Sequence, residues 1–251
     1  MALHLSTARR GFTLLELSVV LVIIGLVAGG ILVGSELIAL AELKSVMRQL
    51  ESYNTAVNTF RVKYGGLPGD FVQAVEYGLG DAGCPTANPC PATPTGSYDY
   101  AGCNGNGNGR LDDLGVGTDL AWCPENLNFW HHLSRASLIE GSYDGKTLTG
   151  GGWEPQYGIS SPVTKLRGIG IWVMLDQYYL GIRQGDGAPQ LSTKEAAYLD
   201  EKMDDALPLT GRVRLLIGFG CNTGNSYNTR ALPGVTPELC SLRISGIPGF
   251  Q

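Results

Sequence analysis

Glu16 is a carboxylate at the head of an apolar run that continues almost unbroken from Leu17 to Gly34. In hydrocarbon an unpaired charge costs several kcal/mol, with estimates from roughly 3 to more than 10. The chemistry a carboxylate offers there is pairing with a cation in low dielectric. A second group of interest is Asn104-Gly105-Asn106-Gly107-Asn108-Gly109-Arg110-Leu111-Asp112. It copies part of a calcium loop: oxygen-bearing side chains at positions 1, 3 and 5, glycine at 6, an apolar residue at 8 and an acid at 9. The candidate ligands are Asn104, Asn106, Asn108, Arg110 and Asp112. Position 12, where a bidentate acid belongs, is Gly115, and Asp113, Asp119 or Glu125 would have to supply it. Amides in place of carboxylates imply weak affinity, about 10⁻⁴ M or poorer. The same residues also suit a Gly-Asn turn cluster that binds nothing.

The cysteines form the third group. Cys84, Cys90, Cys103, Cys123, Cys221 and Cys240 all follow the apolar run. An even number in an exported domain suggests disulfides, and pairing near neighbours gives Cys84–Cys90, Cys103–Cys123 and Cys221–Cys240. Zinc is disfavoured because no Cys-x-x-Cys pair exists. His131-His132 stands alone inside a helical pattern and suits a surface or core role. Catalytic patterns are missing: there is no Gly-x-Ser-x-Gly, no His-Glu-x-x-His and no phosphate-cradling loop. With three histidines in the chain, the chain is not expected to be an enzyme. A membrane-anchored periplasmic enzyme is a remote alternative. So is an adhesin acting through Trp122, Trp130, Trp153 or Trp172, although aromatics in such domains are more often core.

The elements that must position these groups begin with the N-terminal helix. The 18 residues from Leu17 to Gly34 are close to the roughly 20 needed to cross a bilayer. Arg9 and Arg10 before them keep the N-terminus cytoplasmic and send the remainder outward. A secretory signal peptide would need a shorter apolar core and a small-residue cleavage site. Arg9-Arg10-Gly11-Phe12 also has the look of a twin-arginine signal, but the acid and the high hydrophobicity argue against it. After Glu36 the pattern turns amphipathic. Leu43, Val46, Leu50, Tyr53, Val57, Phe60 and Tyr64 recur three and four apart, a single stripe suited to a coiled coil or, better, to docking on a globular head. Gly65, Gly66 and Pro68 end the helix. The element from Phe12 to Tyr64 would be near 80 Å long at about 1.5 Å per residue.

Gly11-Phe12-Thr13-Leu14-Leu15-Glu16, followed by the apolar run, resembles the prepilin site of type IV pilins and type II secretion pseudopilins. The resemblance covers about the first 60 residues. It implies cleavage between Gly11 and Phe12 by a prepilin peptidase/methyltransferase, N-methylation of Phe12, and identity of Glu16 with the family's assembly glutamate. Cleavage would create an α-amine at Phe12, cationic near neutral pH. A staggered neighbour could set that amine against Glu16. The implied architecture is α+β and pilin-like, a long N-terminal helix on a small antiparallel sheet. Its parts are a leader (residues 1–11), a transmembrane and assembly half of the helix (12–41), an amphipathic half (42–64) and a periplasmic or extracellular head (65–251). The implied role is a minor or pilin-like structural subunit of a type IV pilus or related filament; the alternative is a secretion pseudopilin. Implied partners are homologous subunits, the peptidase and an inner-membrane assembly platform. Cys221–Cys240 would staple the C-terminal region as in many pilins, and calcium in a head loop has precedent among the pseudopilins. One departure is clear: many pilins carry a proline where this chain has Val33, with Gly25, Gly29, Gly30 and Gly34 around it.

The net charge of −5, or −7 without the two leader arginines, argues against a general nucleic-acid surface. Within the head the pattern predicts a short helix over 70–77 capped by Asp70, a long Gly/Pro/Cys-rich loop over 78–109, and a helix over 126–139 stopped by Gly141. It then predicts a hairpin of 166–175 with 178–182, a helix over 192–205 with Ser192 and Glu195 as a capping box, and strands at 213–221 and 239–244.

Overall fold

In a computed structural model the described residues are 13–81, 103–111, 125–145, 159, 161–174, 177–180, 191–218, 220–228 and 239–247. The N-terminal helix α1 spans Leu14–Tyr64. Arg61 and Lys63 lie in its last turn, where cations complement the helix dipole. It stops where Gly65 takes a left-handed φ of 76° and its N–H closes on the Arg61 carbonyl at 2.8 Å. Two compact units divide the chain, Met1–Glu42 and Leu43–Gln251. The amphipathic half of α1 therefore belongs to the head unit.

Six of the seven stripe residues, Leu43, Val46, Leu50, Tyr53, Val57 and Phe60, are buried in the head core, and Tyr64 packs at its margin. This is the docked arrangement rather than a free coiled-coil seam. Burial of each large side chain contributes roughly 1.5–3 kcal/mol, so this face of α1 is a principal source of the head's stability. Helix α2, Glu125–Arg135, sends Phe129, Trp130 and Leu133 into the same core. Trp130 meets Tyr53 edge-on at a centroid distance of 4.9 Å. Being fully buried, it has no surface for an adhesive role.

Among the described residues the sheet has five strands: β1 (Ile171–Met174), β2 (Gln177–Leu180), β3 (Leu191–Ser192), β4 (Val213–Gly218) and β5 (Leu239–Ser245). β5 is the hub and pairs antiparallel with β2, β3 and β4. β1 and β2 form the expected hairpin, with Ile171 opposite Leu180 and Met174 opposite Gln177. Helix α3, Thr193–Met203, starts with the Ser192/Glu195 capping box that the sequence predicted. Cys221 and Cys240 are joined, which ties the segment after β4 to β5. Cys103 is also in a disulfide. Cys84, Cys90 and Cys123 lie outside the described residues. An α+β, pilin-like fold is the result.

Several expected boundaries need correction. Residues 70–77 are turns, not a helix. The Tyr77 N–H reaches the Gln73 carbonyl, but Gly78 closes on Val75 and Leu79 on Ala74, so no helical ladder propagates. Asp70 is not its cap, because its carboxylate is engaged elsewhere, as described below. Helix α2 ends at Arg135 rather than Ile139: Ser137 adopts φ 57° and the Leu138 N–H returns to the Leu133 carbonyl at 3.0 Å. Leu166 to Gly168 is a turn ahead of β1, with Arg167 at φ 51°. β4 stops at Gly218 rather than Cys221. The two-residue β3 was not foreseen, because its sequence merges with the cap of α3.

Candidate functional site

The first candidate site is the start of α1. Thr13 is the residue before the helix, and Glu16 is the third residue within it. The Thr13 N–H and hydroxyl donate to Glu16 Oε2 at 2.8 and 2.9 Å, and the Glu16 N–H donates back to Thr13 Oγ1 at 3.2 Å. This is a reciprocal capping box, which satisfies two otherwise orphaned N–H groups. The Thr-x-x-Glu spacing was visible in the sequence, but it went unread there because Glu16 already had another explanation. Gly11 and Phe12 lie outside the described residues. Glu16 lies within the 18 residues Leu14–Ile31, a helical stretch long and apolar enough to cross a membrane, none of which is buried by the rest of the chain. Leu14 is 87% exposed. The four glycines 25, 29, 30 and 34 are all helical, with no neighbouring atom within 4 Å of where a Cβ would stand. Here, among the described residues, a carboxylate partnered by Thr13 heads a bare apolar surface.

The second candidate is the Asn/Gly loop. Among its described residues the groups that converge are N–H donors, and what they surround is an anion. The Gly107 and Asn108 N–H groups donate to Asp70 Oδ1 at 2.5 and 3.1 Å, and Gly109 N–H to Asp70 Oδ2 at 2.8 Å. The Asn106 N–H donates to Glu125 Oε1 at 2.8 Å. The amide oxygens are used in turns: Asn104 Oδ1 accepts from Val75 N–H, Asn106 Oδ1 from Asn108 N–H, and Asn108 Oδ1 from Arg110 N–H. Gly107 and Gly109 have φ of 74° and 81°, which lets successive N–H groups face one side. A Cβ on Gly105 would collide with the Asp70 backbone. Thus Glu125, one of the acids considered for the loop, does reach it. Asp112, Asp113, Gly115 and Asp119 lie outside the described residues. Asp70 was missed because 34 residues separate it from Asn104 and no local pattern links them.

His132 holds this loop to the core. Its Nδ1 accepts the Gly69 N–H at 2.9 Å, so Nε2 carries the proton and donates to the Cys103 carbonyl at 3.0 Å. The ring also stacks parallel to Phe60 at 6.4 Å. Burial, and then the neighbouring His131, push the His132 pKa down to about 3. His131 is lowered by burial too; its Nδ1 lies 2.7 Å from the Tyr143 carbonyl. The histidine pair is therefore structural. Below the unfolded value near 6.5, the unfolded chain takes up a proton that folded His132 refuses. Stability is then lost as pH falls from about 6.5 toward about 3, at up to ~1.4 kcal/mol per pH unit. We expect denaturant melts of the detergent-solubilised chain to show about 2–3 kcal/mol lost from this group between pH 7 and pH 4.5. His132→Gln should be less stable at pH 7 and flatter with pH; a wild-type slope no steeper than that of the variant would remove His132 as the cause.

Residues 6–32 match the prokaryotic N-terminal methylation motif. Comparison with curated proteins and with solved structures found no match. The matched stretch holds the Gly11-Phe12 junction, Thr13, Glu16 and most of the exposed apolar helix, and so the chain carries the signature of type IV pilin and pseudopilin prepilin-like proteins.

Proposed function

We propose that this chain is a structural subunit of a type IV pilus or related filament, held in the inner membrane by α1 before assembly, with its head on the periplasmic side. The supporting observation is the combination at the start of α1: an acid at the third helical position, heading an apolar surface that the chain itself leaves bare. A surface of that kind needs either lipid or copies of the same helix against it. In this reading the leader is cut between Gly11 and Phe12 by a prepilin peptidase, which also methylates Phe12. The new amine then meets Glu16 of a neighbouring subunit, and an inner-membrane platform drives incorporation. Chemistry is done on this chain by another enzyme, and the chain acts as a structural part.

Cleavage is directly testable. Gly11→Val should leave the precursor uncut in cells expressing a prepilin peptidase, while the wild type loses its leader and yields an N-terminal peptide beginning with N-methylated Phe12. Mass spectrometry of that peptide decides the point. A wild-type chain cut within or after the apolar run would instead be a secreted protein, and the filament reading would fail.

A further inference from the structure

We propose that a groove in the head, between the polar side of α1 and the turns after α2 and before β1, binds a phosphate ester through Arg48 and Lys165. The groove has a volume of about 750 Å³, inside the range of roughly 300–1,000 Å³ common to small-molecule sites. Ser45, Arg48, Gln49 and Ser52 line one wall. They recur at spacings of three and four, so they share one face of the helix. The turn over 137–141 and Lys165 line the other wall. That turn is shaped by left-handed residues at both ends, Ser137 at φ 57° and Gly141 at φ 91°. Lys165 is held in a turn closed by the Thr164 N–H on the Ile169 carbonyl at 2.8 Å and by the Val163–Gly170 bridge. Gln49 ties the walls together. Its Nε2 donates to the Val163 carbonyl at 3.0 Å and to the Tyr53 hydroxyl at 2.7 Å, which uses both amide hydrogens.

These bonds leave a surplus of donors on the groove. Tyr53 accepts from Gln49, but among the described residues its own hydroxyl proton has no acceptor. Burial pushes the Tyr53 and Tyr143 pKa values up, so both hydroxyls keep a proton to donate. Among the described residues the Ser45 and Ser52 hydroxyls have no partner either. Arg48 and Lys165 are exposed, and among the described residues neither is engaged in an ion pair. The acid on the lining is Glu140, one charge against two.

A donor-rich, net positive groove on a chain of net charge −5 selects an oxyanion. A guanidinium presents parallel N–H groups that match two oxygens of a phosphate, and an ammonium adds a point charge from the facing wall. A phosphate offers more acceptor oxygens than a carboxylate, and so suits donors that come from two walls and a tyrosine. The same chemistry is presented by a soluble phosphate ester and by the headgroup of an anionic lipid.

The test uses the full-length chain in nonionic detergent with three probes: glycerol 3-phosphate, and micelles doped with phosphatidylglycerol or with phosphatidylcholine. Binding heat reads the first, and native mass spectrometry counts the lipid retained from the other two. Wild type should show one saturable site. A response to glycerol 3-phosphate assigns a soluble ester, and a response to phosphatidylglycerol alone assigns a lipid headgroup. Arg48→Gln and Lys165→Gln should each weaken binding roughly tenfold or more, with the ligand-free melting temperature unchanged because both side chains are exposed. Lys44→Gln, an exposed cation of α1 off the groove, should bind as the wild type does. Flat responses to both glycerol 3-phosphate and phosphatidylglycerol through the millimolar range overturn the proposal. So does wild-type affinity in both groove variants, an equal loss in Lys44→Gln, or retention of phosphatidylcholine as strong as that of phosphatidylglycerol.

Discussion

Replacing Glu16 with alanine is expected to leave leader cleavage intact and to abolish filaments. In the proposed filament the variant would strand the Phe12 amine of each neighbour in low dielectric, and removing one partner of a buried ion pair costs about 3–5 kcal/mol. At about 1.4 kcal/mol per tenfold, each subunit added would be disfavoured by a factor of roughly 100 or more, so a polymer should not grow. Glu16→Gln separates the two roles of this side chain. Glutamine can replace glutamate in a capping box, so α1 should start normally, but it cannot pair with an ammonium group. We expect the glutamine variant to fail like alanine when filaments are counted by electron microscopy and cleavage is followed by mass. Normal filaments from the glutamine variant would mean that the capping box, and not charge, is what assembly needs.

In the head, the largest single effect should come from Asp70→Ala. The side chain is only 4% exposed, and it accepts three backbone N–H groups from the Asn/Gly loop. Alanine would take the acceptor from the Gly109 N–H, and would leave the Gly107 N–H only the Asp70 carbonyl at 3.1 Å and the Asn108 N–H only Asn106 Oδ1 at 2.9 Å. Hydrogen bonds to a charged group contribute about 1.5–3 kcal/mol each but do not simply add, so a loss of roughly 3–5 kcal/mol is expected. Asp70→Asn keeps one oxygen for Gly107 and Asn108 but turns an NH₂ toward the Gly109 N–H, and about 1–2 kcal/mol should be lost. Denaturant melts of the two variants in detergent check both the size and the order. Equal stability of alanine and wild type would show that the loop does not depend on Asp70.

Much of the fold could be read from periodicity. The stripe from Leu43 to Phe60 named six core residues correctly because a long amphipathic helix repeats its signal over several turns. The α3 capping box was legible because both partners sit three residues apart. The hairpin of β1 and β2 was found, but its extent was overestimated, since the buried Leu166 and Ile169 on either side of Arg167-Gly168 read like strand. Long-range polar arrangements left no such trace. Asp70, His132 and Asn104 meet only in three dimensions, each through backbone groups that every residue possesses. At the N-terminus the methylation motif over residues 6–32 was legible because its whole signal is local in sequence.

The Thr13–Glu16 box carries a consequence for how such a polymer grows and shrinks. Glu16 never waits empty-handed: as a lone subunit it already holds two hydrogen bonds from Thr13. In the proposed filament a neighbour's amine would approach a carboxylate whose Oε2 Thr13 already holds, so pairing would gain less than it would with a bare charge. A modest gain from this pair would leave subunit addition easier to reverse. A subunit drawn back into the lipid would still hold its Thr13 bonds and could be stored and reused.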